Sequence, residues 1–147
     1  MINIKSFLFE NGEKLITFKA YVYSFAYRIM VKKMQMKKIE TKLGRRGEES
    51  PAEESIEHLR TAKLYAFHVN RITERMPWEE KCFVRALTLR RLLMEKRISC
   101  TIYLGVRMED GQMKAHAWLR CGQLYATGGH GEGQTVVAKF ATVFNAF

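Results

Sequence analysis

The sequence is short of several things at once. It has two prolines in 147 residues, which excludes collagen-like and proline-rich chains. Its three cysteines, an odd number, cannot form a closed disulfide framework. Cys82, Cys100 and Cys121 stand far apart, and the chain contains no C-x-x-C or H-x-x-x-H pair. The usual zinc patterns are therefore missing. A P-loop and a dinucleotide fingerprint are missing too, so neither a metal nor a cofactor is expected. No apolar run approaches the ~18 residues of a membrane span, because Lys19 and Arg28 interrupt the longest candidate. Lys5 and Glu10 break any signal-peptide core. A cytoplasmic protein with reduced thiols is the expectation. Aspartate is nearly absent, with Asp110 the sole example.

What is present suffices for one compact core: 47% of residues are hydrophobic, and a chain of this length needs no staple. The formal net charge of +10 is uneven. Residues 1–47 hold 11 basic and 3 acidic side chains, residues 48–81 hold 5 and 8, and residues 82–147 hold 9 and 4. Lys32, Lys33, Lys37, Lys38, Lys42, Arg45 and Arg46 form a run that suits nucleic acid, anionic lipid or an acidic peptide, although most such runs are solvated helix faces.

The pattern predicts a long helix from about Leu15 to Met36, with Phe18, Val22, Phe25 and Ile29 at helical spacing. Ser50-Pro51-Ala52-Glu53 reads as the start of a second helix, on which Ile56, Leu59, Lys63, Ala66, Val69 and Ile72 share a face. A third helix follows Pro77-Trp78, from about Glu80 to Glu95. After Arg97 the period drops to two, giving strands over 101–106, Lys114–Cys121 and Leu124–Thr127. Asp110-Gly111 is a hairpin signal, in a loop slightly longer than the tightest kind. Gly128, Gly129, Gly131 and Gly133 make a glycine-rich loop, and Val136–Phe144 reads as a last strand or a short helix. Helices followed by antiparallel strands point to an α+β layer fold.

The chemistry-bearing pair is Cys82 with His116. The start of a helix favours a thiolate through its free N–H groups and positive dipole end. A histidine on a strand packed against that helix could take the thiol proton and pass it to a leaving amine. Read blandly, the same pair is a buried cysteine and a packed histidine. Cys100 and Cys121 read as core residues.

The succession Pro77-Trp78-x-x-x-Cys82-Phe83-Val84-Arg85-Ala86-Leu87, then Tyr103-Leu104-Gly105-Val106, then Ala115-His116-Ala117-Trp118-Leu119 resembles a known family. It is similar to the transglutaminase-like, papain-type cysteine peptidases that mature lasso peptides, the C-terminal domain type of the microcin-processing protein in stand-alone form. The resemblance covers about residues 75–133 and implies a transglutaminase-like or papain-like core, here residues 51–147 behind a basic helical segment, 1–50. It implies removal of a leader peptide from a ribosomally made precursor, with Cys82 as nucleophile and His116 as general base. The partners implied are the precursor, a separate leader-recognition protein and a cyclase resembling asparagine synthetase; nucleic acid is not favoured. A transglutaminase or amidase on the same scaffold is the neighbouring reading, and a cationic non-catalytic adaptor the distant one.

The chain departs from the family pattern where an aspartate is expected on the strand after the histidine. Thr127 stands in that register, and Glu132 is the sole carboxylate downstream of His116. Thr127 is the expected orienting residue, with Glu132 the alternative. Arg97 and Ser99 stand where the pattern has a helix-ending glycine and a proline. The backbone N–H of Cys82 is a reasonable oxyanion donor.

Overall fold

The computed structural model describes residues 12–76, 81–129 and 131–144. Three longer helices pack together, and two of them pack against a five-stranded antiparallel sheet. Helix α1 is Gly12–Lys33, followed by a short α2, Met36–Glu40, and a two-residue strand β1, Arg45–Arg46. Helix α3, Ile56–Glu74, and helix α4, Lys81–Glu95, lead into β2 (Cys100–Glu109), β3 (Gln112–Cys121), β4 (Leu124–Thr127) and β5 (Thr135–Thr142). The sheet order is β1-β5-β2-β3-β4. The α+β expectation holds, and Val136–Phe144 resolves as a strand.

Helix α4 is the centre of the molecule. Phe83, Val84, Ala86, Leu87, Leu89, Leu92 and Leu93 are all buried, so nearly its whole circumference is apolar, as a helix between two layers requires. Helices α1 and α3 pack on it from one side and β3 from the other. The family of apolar residues expected to make α1 amphipathic is not the one that packs. Ala20 and Ser24 are fully buried against α4, while Phe18, Val22, Phe25 and Ile29 remain exposed. Small residues let the two helices approach, and Ser24 Oγ lies 3.3 Å from Thr88 Oγ1 inside the contact. At its edge Lys19 pairs with Glu95 at 3.3 Å, and the Tyr23 hydroxyl donates to the same carboxylate.

Helix α3 begins later than Ser50. Its cap is Ser55, whose hydroxyl accepts from the His58 N–H at 3.2 Å. Ser50 is buried instead and hydrogen-bonded to Thr101 Oγ1 through both its N–H (2.8 Å) and its hydroxyl (2.7 Å). A serine committed to the sheet cannot cap a helix. The β2–β3 loop is tighter than expected: Asp110 and Gly111 alone connect the strands, with φ of 51° and 76°. Positive φ at both positions is the type I′ turn that matches strand twist. Strand β1 escaped the sequence pattern because two residues carry no period.

Between β2 and β4 the back of the sheet is held by one buried arginine. Arg120 donates from Nε to Tyr103 Oη (3.0 Å), from Nη1 to the Pro51 and Gly122 carbonyls (3.1 and 2.6 Å), and from Nη2 to the Ser50 carbonyl (3.0 Å). The Tyr103 hydroxyl in turn donates to Glu49 Oε1 at 2.7 Å. The acidic segment ahead of α3 is thereby tied across β2 and β3.

Arg97, where the family pattern places glycine, ends α4 in the conformation a glycine would take, with φ of 55°. The Arg97 and Ile98 N–H groups close back on the Met94 and Leu93 carbonyls, each at 3.0 Å. Left-handed backbone costs a residue with a Cβ ~1 kcal/mol. Arg97→Gly should therefore raise the unfolding free energy by about 0.5–1 kcal/mol, less whatever the contact of Arg97 with the Phe144 ring contributes. A urea melt of the two proteins checks this.

Candidate active site

Cys82 is the second residue of α4, half-buried and packed against the core. Pro77 and Trp78, which precede it in the sequence motif, lie outside the described residues. Cys100 and Cys121 are fully buried. Burial pushes each thiol up to about 12, for Cys100 in spite of Arg90 and for Cys121 with Glu54 adding to the rise. Both therefore remain protonated core residues near neutral pH.

His116 lies midway along β3, half-buried, opposite Gly105 of β2. Its Nε2 is 2.8 Å from the Gly128 carbonyl oxygen. A carbonyl only accepts, so Nε2 carries the hydrogen and Nδ1 is left as the basic nitrogen of the neutral ring. The imidazole stacks on Trp118 (centroids 6.0 Å apart), and Trp118 stacks on Tyr103 (5.4 Å). The ring is thus held at its face by an aromatic column and at its edge by backbone.

Gly128 can play this part because it follows the last residue of β4 with φ of 75°. A Cβ there would lie 2.5 Å from the Ala117 carbonyl and 2.7 Å from Trp118 Cβ. The close approach of chain to chain is what brings the carbonyl to the imidazole. Sequence reasoning missed this acceptor, since every residue has a carbonyl; the glycine was its one trace.

The expected orienting bond from Thr127 is not made. Thr127 is buried and its Oγ1 has no hydrogen-bond partner, because its backbone register with Leu119 places the following residue's carbonyl, not its own hydroxyl, at the imidazole. Replacing that hydroxyl with a methyl leaves nothing unpaired. Thr127→Val should keep cleavage of a peptide substrate within about twofold of wild type and leave stability unchanged or raised by up to ~1 kcal/mol. Glu132 lines the same open cavity as His116, about 300 Å³ in volume, together with Arg107, Lys114 and the glycine-rich loop.

Helix α4 packs against β3, so the fold brings the elements carrying Cys82 and His116 together. The two side chains are not hydrogen-bonded to each other. Strand alternation turns Ala117, Leu119 and Cys121 into the core under α4, and His116 belongs to the other alternate set with Trp118 and Arg120. Among the described residues, no group of three His, Cys, Asp or Glu is placed to hold a metal, and no helix is long and apolar enough to cross a membrane.

Cys82 on α4 and His116 on β3 thus sit on packed elements of an α+β fold. The chain belongs to the transglutaminase-like superfamily, whose family model matches residues 24–145. Comparison with curated proteins and with solved structures finds no match. Membership brings a cysteine peptidase or acyltransferase type of activity, and the match begins inside α1.

Proposed function

We propose that this protein is a cysteine peptidase that removes the leader from a ribosomally made lasso-type precursor. The observation that supports the reading is the His116 imidazole with Nε2 committed to the Gly128 carbonyl, which leaves Nδ1 as the ring nitrogen free to accept a proton. Nδ1 takes the thiol proton, and the Cys82 sulfur attacks the carbonyl carbon at the leader–core junction. The Cys82 backbone N–H donates to the tetrahedral oxyanion. Collapse breaks the C–N bond; the core peptide's amine leaves with the proton from the imidazolium, and a thioester remains on Cys82. Water, deprotonated by the same nitrogen, releases the leader as a carboxylic acid.

A neutral carbonyl fixes the tautomer but stabilises imidazolium less than a carboxylate does. A thiol needs that help less than a hydroxyl, so the pair works without an aspartate. His116 shares a side of β3 with Trp118 and Arg120, away from the residues packed under α4, so this reading requires β3 to turn the imidazole toward Cys82 when substrate is seated. The superfamily also supports a second reading, in which an amine replaces water and the product is a new amide.

The partners follow from this reading: the precursor, a leader-recognition protein that presents it, and a cyclase resembling asparagine synthetase that closes the ring at the new N-terminus. With precursor and recognition protein present, Cys82→Ala and His116→Ala should each lower the cleavage rate by roughly a thousandfold or more, read by mass spectrometry of the products. Wild-type cleavage by folded Cys82→Ala would end the peptidase reading. A product heavier by an added amine would select the transfer reading.

A further inference from the structure

Helix α1 carries two apolar faces, and the core among the described residues takes up one. Ala20 and Ser24, with Ile16, Tyr23, Tyr27, Met30 and Val31, pack toward α4 and the core. On the opposite side Leu15, Phe18, Val22, Phe25 and Ile29, spaced three and four apart, are 47% to 65% exposed. They form a stripe roughly 20 Å long at 1.5 Å per residue. Single exposed apolar residues are ordinary, whereas a continuous run of bulky ones marks a contact surface.

Charge decides what it contacts. Between residues 14 and 39 the sequence has seven cations and no acid. By helical spacing, Lys14 and Lys32 border the stripe on one side and Lys33 on the other, where Lys19 is already paired with Glu95. The exposed Met36, Lys37 and Lys38 prolong it beyond the end of α1. A second copy of the chain fits poorly, because two such stripes would set lysine against lysine in either orientation. A surface that accepts apolar side chains in its middle and cations on both flanks is the interface of an anionic lipid bilayer.

We infer that the exposed face of α1 docks the protein on anionic membranes. The helix lies in the plane of the interface, with Leu15, Phe18, Val22 and Ile29 among the acyl chains and the lysine ammonium groups at headgroup level, their stems extended along the apolar boundary. The helix remains part of the domain, so docking costs no folding.

The test is sedimentation of the full chain with vesicles of mixed phosphatidylglycerol and phosphatidylcholine, against vesicles of phosphatidylcholine alone. The protein should pellet with the anionic vesicles only. The double substitution Phe18→Asp/Val22→Asp, at positions that contribute little to the core, should weaken binding roughly tenfold or more, with an unchanged circular dichroism spectrum. Replacing Lys32, Lys33, Lys37 and Lys38 by Gln should weaken it and flatten its salt dependence. Three results would overturn the inference. One is wild-type protein that stays in the supernatant; another is a folded Phe18→Asp/Val22→Asp variant that binds as well as wild type, since charge alone would then suffice. The third is a solution dimer that this variant dissociates, with no vesicle binding, which would make a second copy the occupant.

Discussion

Gly128→Ala is expected to destabilise the protein by about 3 kcal/mol and to lower its cleavage rate further than unfolding accounts for. Two costs combine in the folded state. The backbone holds φ of 75°, where a Cβ costs ~1–2 kcal/mol. The added methyl would also stand 2.5 Å from the Ala117 carbonyl and 2.7 Å from Trp118 Cβ, so β3 and the loop after β4 must separate. Separation draws the Gly128 carbonyl away from His116 Nε2. A lost orienting bond is worth about tenfold in rate, and misplacement of the imidazole raises that toward a hundredfold. Urea melts give the first effect. Rates measured well below the melting temperature, where the variant remains folded, give the second. A stable Gly128→Ala protein with wild-type rate would mean that the carbonyl does not position the histidine.

Arg120→Met is expected to cost more stability, about 3–5 kcal/mol. The guanidinium satisfies the Ser50, Pro51 and Gly122 carbonyls and the Tyr103 hydroxyl at once, and a thioether replaces none of those donors. Two consequences add. Buried carbonyls lose their partners at ~1–3 kcal/mol each unless water reaches them, and the segment from Glu49 to Pro51 loses its tie to the sheet. Arg120→Lys should recover only part, because one ammonium cannot serve four acceptors spread over a planar fork. Against a total stability of 5–15 kcal/mol for a typical domain, the Met variant stands near its folding threshold. Denaturant midpoints for the three proteins order as wild type, Lys, Met.

Much of the fold was legible because periods are long-range signals carried by many residues. The third helix was expected to end at Glu95 and does, its expected start at about Glu80 lying outside the described residues, and the β2–β3 hairpin followed from alternation around Asp110-Gly111. What failed did so for identifiable reasons. On α1 the apolar repeat that looked like a core face is the exposed one, because close helix packing selected Ala20 and Ser24, small residues that hydropathy ranks low. At Ser50 a good capping pattern lost to a hydrogen bond with Thr101, 51 residues away, which local sequence cannot report. The site divided in the same way. Cys82 and His116 were visible as side chains with chemistry. The acceptor of the imidazole's hydrogen bond was not, since it is a main-chain oxygen whose position depends on the close approach of Gly128 to β3. Looking for a side chain led to Thr127, one residue short of it.

The central claim is that the Cys82 sulfur attacks a precursor carbonyl with His116 as its base, and a trapped intermediate tests it most directly. Wild-type protein is mixed with precursor and leader-recognition protein, quenched in acid within the first turnover, and examined by intact-mass and peptide mapping. The expected result is a population of enzyme heavier by the leader acyl group, attached at Cys82 as a thioester that hydroxylamine removes. The adduct should be absent from Cys82→Ala and formed far more slowly in His116→Ala. Release of leader and core by Cys82→Ala at the wild-type rate, with no adduct on the wild-type chain, would contradict the account.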